Sequence, residues 1–119
     1  MNTELDTFRI KKGKEERAKE WMRALIQRRQ ECIQTLPREK MAFETIFMSE
    51  KEGRLFLSWF SIQGEQADSV ESSEYEIDKL HCHFWDECID QTYQLEKFEH
   101  VLTLAGESVE QSIKLAAKG

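Results

Sequence analysis

The stretch MAFETIFMSEKEGRLFLSWFSI, residues 41–62, decides how this chain folds. Two strongly apolar runs, Met41–Ser49 and Arg54–Ile62, flank the polar tetrapeptide Glu50–Gly53. Each run is long enough for a strand, and a short connection between antiparallel strands needs a residue that accepts a positive φ. We therefore predict a β-hairpin with Gly53 in its turn.

Both faces of this predicted hairpin are apolar. Side chains alternate between two faces along a strand. The faces of the second strand carry Phe56, Ser58, Phe60 and Ile62 on one side, and Leu55, Leu57, Trp59 and Ser61 on the other. A sheet with one face in water should be polar on that face. The helices can cover only one of these faces. We predict that the other face packs against a second copy of the chain in a homodimer. Alternatively, the tail helix or a bound apolar ligand covers it.

The segments on either side of the hairpin are predicted to form two more strands and three helices. Leu5–Ile10 has the length and composition of a strand. Apolar residues at helical spacing between Lys14 and Leu36 predict one long helix that Pro37 ends.

Downstream of the hairpin, a polar connection at Gln63–Ser72 precedes Ser73 and Glu76, which have capping-box spacing. This pattern predicts a second helix over about Glu74–Asp90. Leu95–Leu104 is predicted to be the last strand. Ser108 and Gln111 then predict a short C-terminal helix that runs through Ala117.

The resulting order, β-α-β-β-α-β plus a tail helix, is that of the ferredoxin-like fold. We expect an α+β protein with a four-stranded antiparallel sheet and two helices on one face. The predicted division is a ferredoxin-like domain at residues 1–106 and a tail helix at residues 107–119. A chain of 119 residues has the usual length of one domain.

Charge and composition narrow the function classes. The net charge is −6, and Lys11–Lys14 and Arg28–Arg29 form no basic run, so binding to nucleic acid or an anionic membrane is not expected. No apolar segment has the ~18 residues that a membrane span needs. Three cysteines without CxxC spacing are typical of reduced thiols. We predict a soluble, cytoplasmic protein.

His81 is the first candidate site residue. At about 100° per residue, it falls in the apolar stripe of the second predicted helix with Ile77 and Phe84, and Trp85 lies at the margin. His83 points to the polar side, so the two histidines cannot chelate one metal, and no metal site is predicted. His81 is either a hydrogen-bonded core residue or a buried, neutral general base.

Glu44 is the second candidate, because it interrupts an apolar strand and strand interiors are depleted in glutamate. On an edge strand it would hinder association between sheet edges. Alternatively, Glu44 is a catalytic base or polar anchor in a pocket lined by Trp59 and Phe60. Trp85 and His100, the latter facing inward from the last predicted strand, complete the candidate ligand-binding residues.

The order of elements, together with the segment HCHFWDECID at His81–Asp90, resembles that of a group of small bacterial proteins of uncharacterised function. These look like members of the dimeric α-β barrel superfamily, in which two ferredoxin-like subunits pack sheet to sheet. The resemblance covers roughly Leu5 to Leu104 and implies a dimer. It transfers no catalytic residue, because superfamily members range from cofactor-free monooxygenases, haem enzymes and decarboxylases to proteins without known activity.

The sequence thus favours a homodimer that binds a small, largely apolar molecule between sheet and helices, without a cofactor. The alternative is a cofactor-free monooxygenase- or isomerase-like enzyme that uses His81 or Glu44 as its base.

Overall fold

The computed structural model describes residues 2–64 and 73–118. Most of the predicted connection Gln63–Ser72 lies outside these residues. The elements in chain order are β1 (Asn2–Arg9), α1 (Glu15–Gln27), α2 (Arg29–Thr35), β2 (Met41–Lys51), β3 (Arg54–Gln63), α3 (Glu76–Cys88) and α4 (Glu107–Ala117). None of the helices in the described ranges combines the length and apolar character needed to cross a bilayer.

The predicted hairpin is confirmed as β2 and β3. The paired strands are longer and the turn is shorter than predicted, since Lys51 pairs with Arg54 across the turn. The turn is therefore the dipeptide Glu52-Gly53, with φ of 54° and 73°. Two successive positive φ values match the right-handed twist of the flanking strands, and glycine adopts such a φ without steric cost.

The sheet is three-stranded, in the order β1-β3-β2 with both pairs antiparallel. The prediction of a four-stranded ferredoxin-like sheet, with its dimeric α-β barrel, is therefore wrong, although the α+β class is correct. The predicted fourth strand, Leu95–Leu104, is not a strand. Residues 94–106, which we call the arm, belong to no helix or strand and are exposed to solvent.

The physical reason lies at the end of α3. Ile89 forms a single bridge to Ile10, as a strand beside β1 would begin. Asp90 then accepts hydrogen bonds from Arg9 Nε and from the backbone of Thr92, both at 3.0 Å, and these bonds close a turn. Tyr93 follows, under the Arg9 guanidinium, which lies 4.9 Å from the ring centroid. The chain consequently leaves the edge of β1 after one bridge.

The long first helix of the prediction is two helices, α1 and α2. They meet at Arg28, whose φ of −106° and ψ of 32° are not helical. The change of direction brings the end of α2 to the start of β2, where the Met41 N–H donates to the Leu36 carbonyl over 2.9 Å. Periodicity continues across such a break, so the apolar stripe could not reveal it.

The predicted capping boxes do not form. The Ser73 hydroxyl instead accepts the Tyr75 N–H over 3.1 Å, and α3 begins at Glu76 without a side-chain cap. The C-terminal helix is present as α4, but it begins after Gly106, also without a side-chain cap.

The main core lies between the sheet and the layer formed by α1 and α3. Its fully buried residues include Trp21 of α1, Leu57 of β3 and Cys88 of α3. The sheet face that carries Leu57 and Trp59 meets these helices. The face that carries Phe43, Phe47, Phe60 and Ile62 points the other way, and we call it the open face.

The open face is covered only in part. α4 packs against β2 and β3 rather than against the other helices. Gly64 permits this close approach, because a Cβ there would lie 2.2 Å from the Ala117 carbonyl oxygen. Phe43 and Phe47 remain 47% and 62% exposed. The predicted covering by the tail helix is thus observed, but it leaves large aromatic side chains in solvent.

Candidate functional site

A cleft of about 820 Å³ opens between the strands β2 and β3 and the helices α1, α2 and α3. Its walls are largely apolar and include Leu25, Ile33, Ile46 and Ile77. Ligand pockets in proteins usually enclose about 300–1,000 Å³ and combine apolar walls with a few polar groups. The polar groups here include Arg29, Glu39, Glu44, Ser61, Asp78 and His81.

His81 lies where the cleft meets a cluster of aromatic side chains. The centroid of its ring is 5.3 Å from that of Trp21, 5.6 Å from Trp59 and 6.1 Å from Trp85. These are all the tryptophans of the chain. The predicted helical phase is confirmed, since Ile77 and Phe84 are buried and His83 is exposed.

The protonation state of His81 follows from one hydrogen bond. The Trp21 indole Nε1–H donates to His81 Nδ1 over 3.1 Å. An indole nitrogen can only donate, so Nδ1 must accept, and the proton of the neutral ring sits on Nε2. Burial lowers the pKa of His81, although the charge of Asp78 acts in the opposite direction. His81 is thus a neutral ring with an N–H on Nε2.

Glu44 faces the same cleft from β2. Its strand is at the sheet edge, as predicted, and Ser61 is its cross-strand partner. The Trp59 indole N–H donates to Glu44 Oε1. Desolvation in the cleft raises the pKa of Glu44 and repulsion from Asp78 adds to this, whereas the bond from Trp59 acts against them. The cleft therefore holds a carboxyl group that is easier to protonate than a solvated one.

Asp78 and Glu39 complete an acidic end of the cleft. Asp78, in the first turn of α3, is only 6% exposed. Its Oδ2 is buried and has no hydrogen-bond partner among the described residues. Glu39, in the segment before β2, has its pKa raised to about 7, mainly by desolvation and further by the charges of Glu44 and Asp78. We call Glu39, Glu44 and Asp78 the acid cluster.

Two other cleft features bear on the chemistry. Burial raises the pKa of the Cys32 thiol, and the acids Glu44 and Asp78 raise it further, so Cys32 is a poor nucleophile. Within residues 2–64 and 73–118, no group of three or more His, Cys, Asp or Glu side chains is arranged to hold a metal ion.

Comparison with known proteins places the chain in a family. Residues 1–111 match the model described as "Family of unknown function (DUF6176)". This chain belongs to the DUF6176 family. No curated protein matches it, and no solved structure matches it. The cleft of this DUF6176 protein must therefore be interpreted from its own residues.

The remaining sequence-predicted site residues of the DUF6176 chain lie apart from the cleft. Phe60 is on the open face, with its ring centroid 6.1 Å from that of Phe43. Trp85 does not line the cleft but packs against Trp59, with 5.8 Å between ring centroids. His100 is exposed on the arm, where its Nε2 lies 2.8 Å from the Thr103 hydroxyl. Of the predicted residues, only His81, Glu44 and Trp59 meet at the cleft.

Sequence reasoning missed Asp78 and Glu39. Asp78 precedes His81 by three residues, and the spacing Asp78, His81, Trp85 places all three on one side of a helix in the DUF6176 chain. That spacing was an available signal. Glu39 had none, because it lies in a short segment outside any periodic pattern.

Proposed function

We propose that this DUF6176 protein binds a small, largely apolar molecule in the cleft between the sheet and the helices. The observation that carries the proposal is the cleft itself, with apolar walls of Leu25, Ile33 and Ile46 and a polar end at His81 and the acid cluster. Such a combination favours a ligand whose body is apolar and whose one polar end fixes its orientation.

The experiment uses Nile red, a neutral apolar dye, titrated against the full chain. We expect saturable binding by the unmodified protein. Cys32→Phe places a large side chain in the cleft from the side of α2, and should weaken binding at least about tenfold.

Gln30→Phe is the matched control, because Gln30 is an exposed residue of the same helix and does not line the cleft. It should bind the dye like the unmodified protein. Equal dye binding by the Cys32→Phe variant, or no saturable binding by the unmodified chain, contradicts the proposal.

Proton-transfer chemistry on the bound molecule is a second candidate function. Glu44 favours it, because a carboxyl group of raised pKa faces the cleft. Nδ1 of His81 is occupied by Trp21, so Glu44 is the better placed base. Cyclohexanone in deuterated water tests this idea by NMR. Faster exchange of its α-protons with the unmodified chain than with Glu44→Gln supports the second candidate, and equal rates contradict it.

We also propose that the chain pairs with a second copy of itself through the arm. Val101 and Leu104 of the arm are 86% and 85% exposed. In the described ranges the arm has no strand partner, and the outer edge of β1 has none apart from the single bridge at Ile10. An open edge presents unpaired backbone N–H and C=O groups. Two copies can exchange arms, so that each arm adds to the β1 edge of the other.

A reducing, cytoplasmic location completes the proposal. Cys32 and Cys88 form no disulfide, as is usual for cytoplasmic proteins. Isolation of the native chain with oxidised thiols, from outside the cytoplasm, would contradict it.

A further inference from the structure

Asp78 carries a buried carboxylate oxygen without a hydrogen-bond partner among the described residues. The binding of an apolar molecule does not account for this oxygen. The side chain is 94% buried, yet its Oδ2 receives no hydrogen bond from any described residue. Buried carboxylate oxygens are normally paired, because an unpaired one loses its hydration without compensation. Asp78 lines the cleft, so its carboxyl group belongs to the wall against which a ligand would bind.

Two further carboxyl groups act on the same region. Glu39 and Glu44 also line the cleft, and Asp78 repels both. The charge of Arg38 opposes the repulsion at Glu39, and the hydrogen bond from Trp59 opposes it at Glu44. Arg29 also lines the cleft. A positive charge placed between these acids relieves their mutual repulsion, so the electrostatics of this end of the cleft favour a cation.

The surroundings decide which kind of cation fits. The acids are not arranged as a metal coordination shell in the described ranges, and the neighbouring walls are apolar. The indole of Trp59 stands beside Glu44, and aromatic faces attract ammonium groups. An ion with an apolar body matches this setting better than a hydrated metal ion does.

We propose that the ligand of the cleft is an organic amine, whose ammonium group is held by Asp78 and Glu44 and whose apolar body lies along Leu25, Ile33 and Ile46. This inference rests on the proposed binding function and names the class of ligand. Charge-assisted hydrogen bonds are about twice as strong as neutral ones, so the ammonium group supplies both affinity and orientation. The neutral His81 adds an N–H on Nε2 for an oxygen of the ligand.

Three probes with one carbon skeleton separate charge from apolar binding: phenylbutylamine, phenylbutanol and phenylbutanoate, titrated by calorimetry at constant ionic strength. We expect the unmodified chain to bind the amine at least about tenfold more tightly than the alcohol, and the carboxylate more weakly than the alcohol. Asp78→Asn should reduce the preference for the amine over the alcohol to within about threefold.

Glu44→Gln is a second variant, so that the test stands even if Asp78→Asn does not fold, and it should also reduce the preference. Glu74→Gln is the matched control, because the Glu74 carboxylate is 96% exposed at the start of the α3 region, and it should leave the preference unchanged.

Equal binding of amine and alcohol overturns the amine inference but leaves the binding function intact. A preference for the amine that survives in both Asp78→Asn and Glu44→Gln also overturns it. Tighter binding of calcium chloride than of the amine would assign the acids to a metal ion instead. If none of the three probes binds and Nile red does not bind either, the proposed function itself fails.

Discussion

The indole nitrogen of Trp21 lies 3.1 Å from Nδ1 of His81 and donates its proton there. Trp21 is completely buried in the core, whereas His81 faces the cleft. The bond therefore joins the packing of the core to the chemistry of the site. It orients the imidazole ring and keeps the proton of His81 on Nε2.

Removal of His81 should cost stability, and removal of His83 should not. His81→Ala leaves the buried Trp21 N–H without an acceptor, so we expect a loss of roughly 1–3 kcal/mol in the free energy of unfolding. His83→Ala changes an exposed side chain of the same helix, so we expect a change below about 0.5 kcal/mol. Urea unfolding followed by far-ultraviolet circular dichroism measures both. Equal losses for the two variants would contradict the role assigned to the Trp21–His81 bond.

Glu39 should destabilise the protein as the pH rises. Its pKa is about 7 in the folded chain, against 4.5 as a free side chain, so the folded state holds the proton more tightly. The contribution of Glu39 to stability is therefore fully present below about pH 4.5 and is lost as the pH rises to about 7. Glu39→Gln should be stabilising by roughly 1–3 kcal/mol at about pH 8 and close to neutral at about pH 4.5.

Urea unfolding of both proteins at the two pH values tests this prediction. The titration of His81 has the opposite sign, because its pKa is lowered, but it is common to both proteins and cancels in the difference. Glu74→Gln, at an exposed carboxylate, is the control and should show no pH-dependent difference. A Glu39→Gln effect that is the same at both pH values would show that the carboxyl group is not desolvated.

The arm should hold two copies together. Sedimentation equilibrium at micromolar concentration should give about twice the 14.1 kDa mass of the chain. The double variant Val101→Lys, Leu104→Lys places charges where an arm would pack, and should give the monomer mass. Glu99→Lys changes charge on the same arm without removing an apolar side chain, and should remain a dimer. A monomeric unmodified chain, or a dimeric double variant, contradicts the exchange of arms.

The hairpin could be predicted because its signals are local. Two apolar runs, a short polar connection and Gly53 all lie within 41–62. The missing fourth strand could not be predicted, because its cause is non-local. Asp90 binds Arg9 at the far end of the chain and Arg54 at the hairpin, with nitrogen–oxygen distances of 2.8 and 3.3 Å. The sequence pattern of Leu95–Leu104 gives no indication of these contacts, which lie outside that segment.

The candidate site was predictable to a similar extent. Helical phase correctly turned His81 inward and His83 outward. The predicted pocket of Glu44 with Trp59 and Phe60 was right for Trp59, which shares the face of Glu44, and wrong for Phe60, which is on the open face. His100 was misplaced because its inward orientation depended on the strand that does not form. Glu39 lies between the end of α2 and β2, beyond the bend at Arg28. Pro37 signalled the end of the helix, but no sequence signal marked the bend at Arg28 that sets the direction of α2.

The clustering of Trp21, Trp59 and Trp85 also determines which part of this protein its tryptophan spectra monitor. Their ring centroids are 5.8–5.9 Å apart, so excitation energy passes among the three indoles and their electronic transitions couple. The chain holds no other tryptophan. Its indole emission and near-ultraviolet dichroism therefore come from one collective chromophore at the wall of the cleft beside His81. Tryptophan spectra will therefore change when a ligand binds at that wall and will change little when the arm moves or pairs.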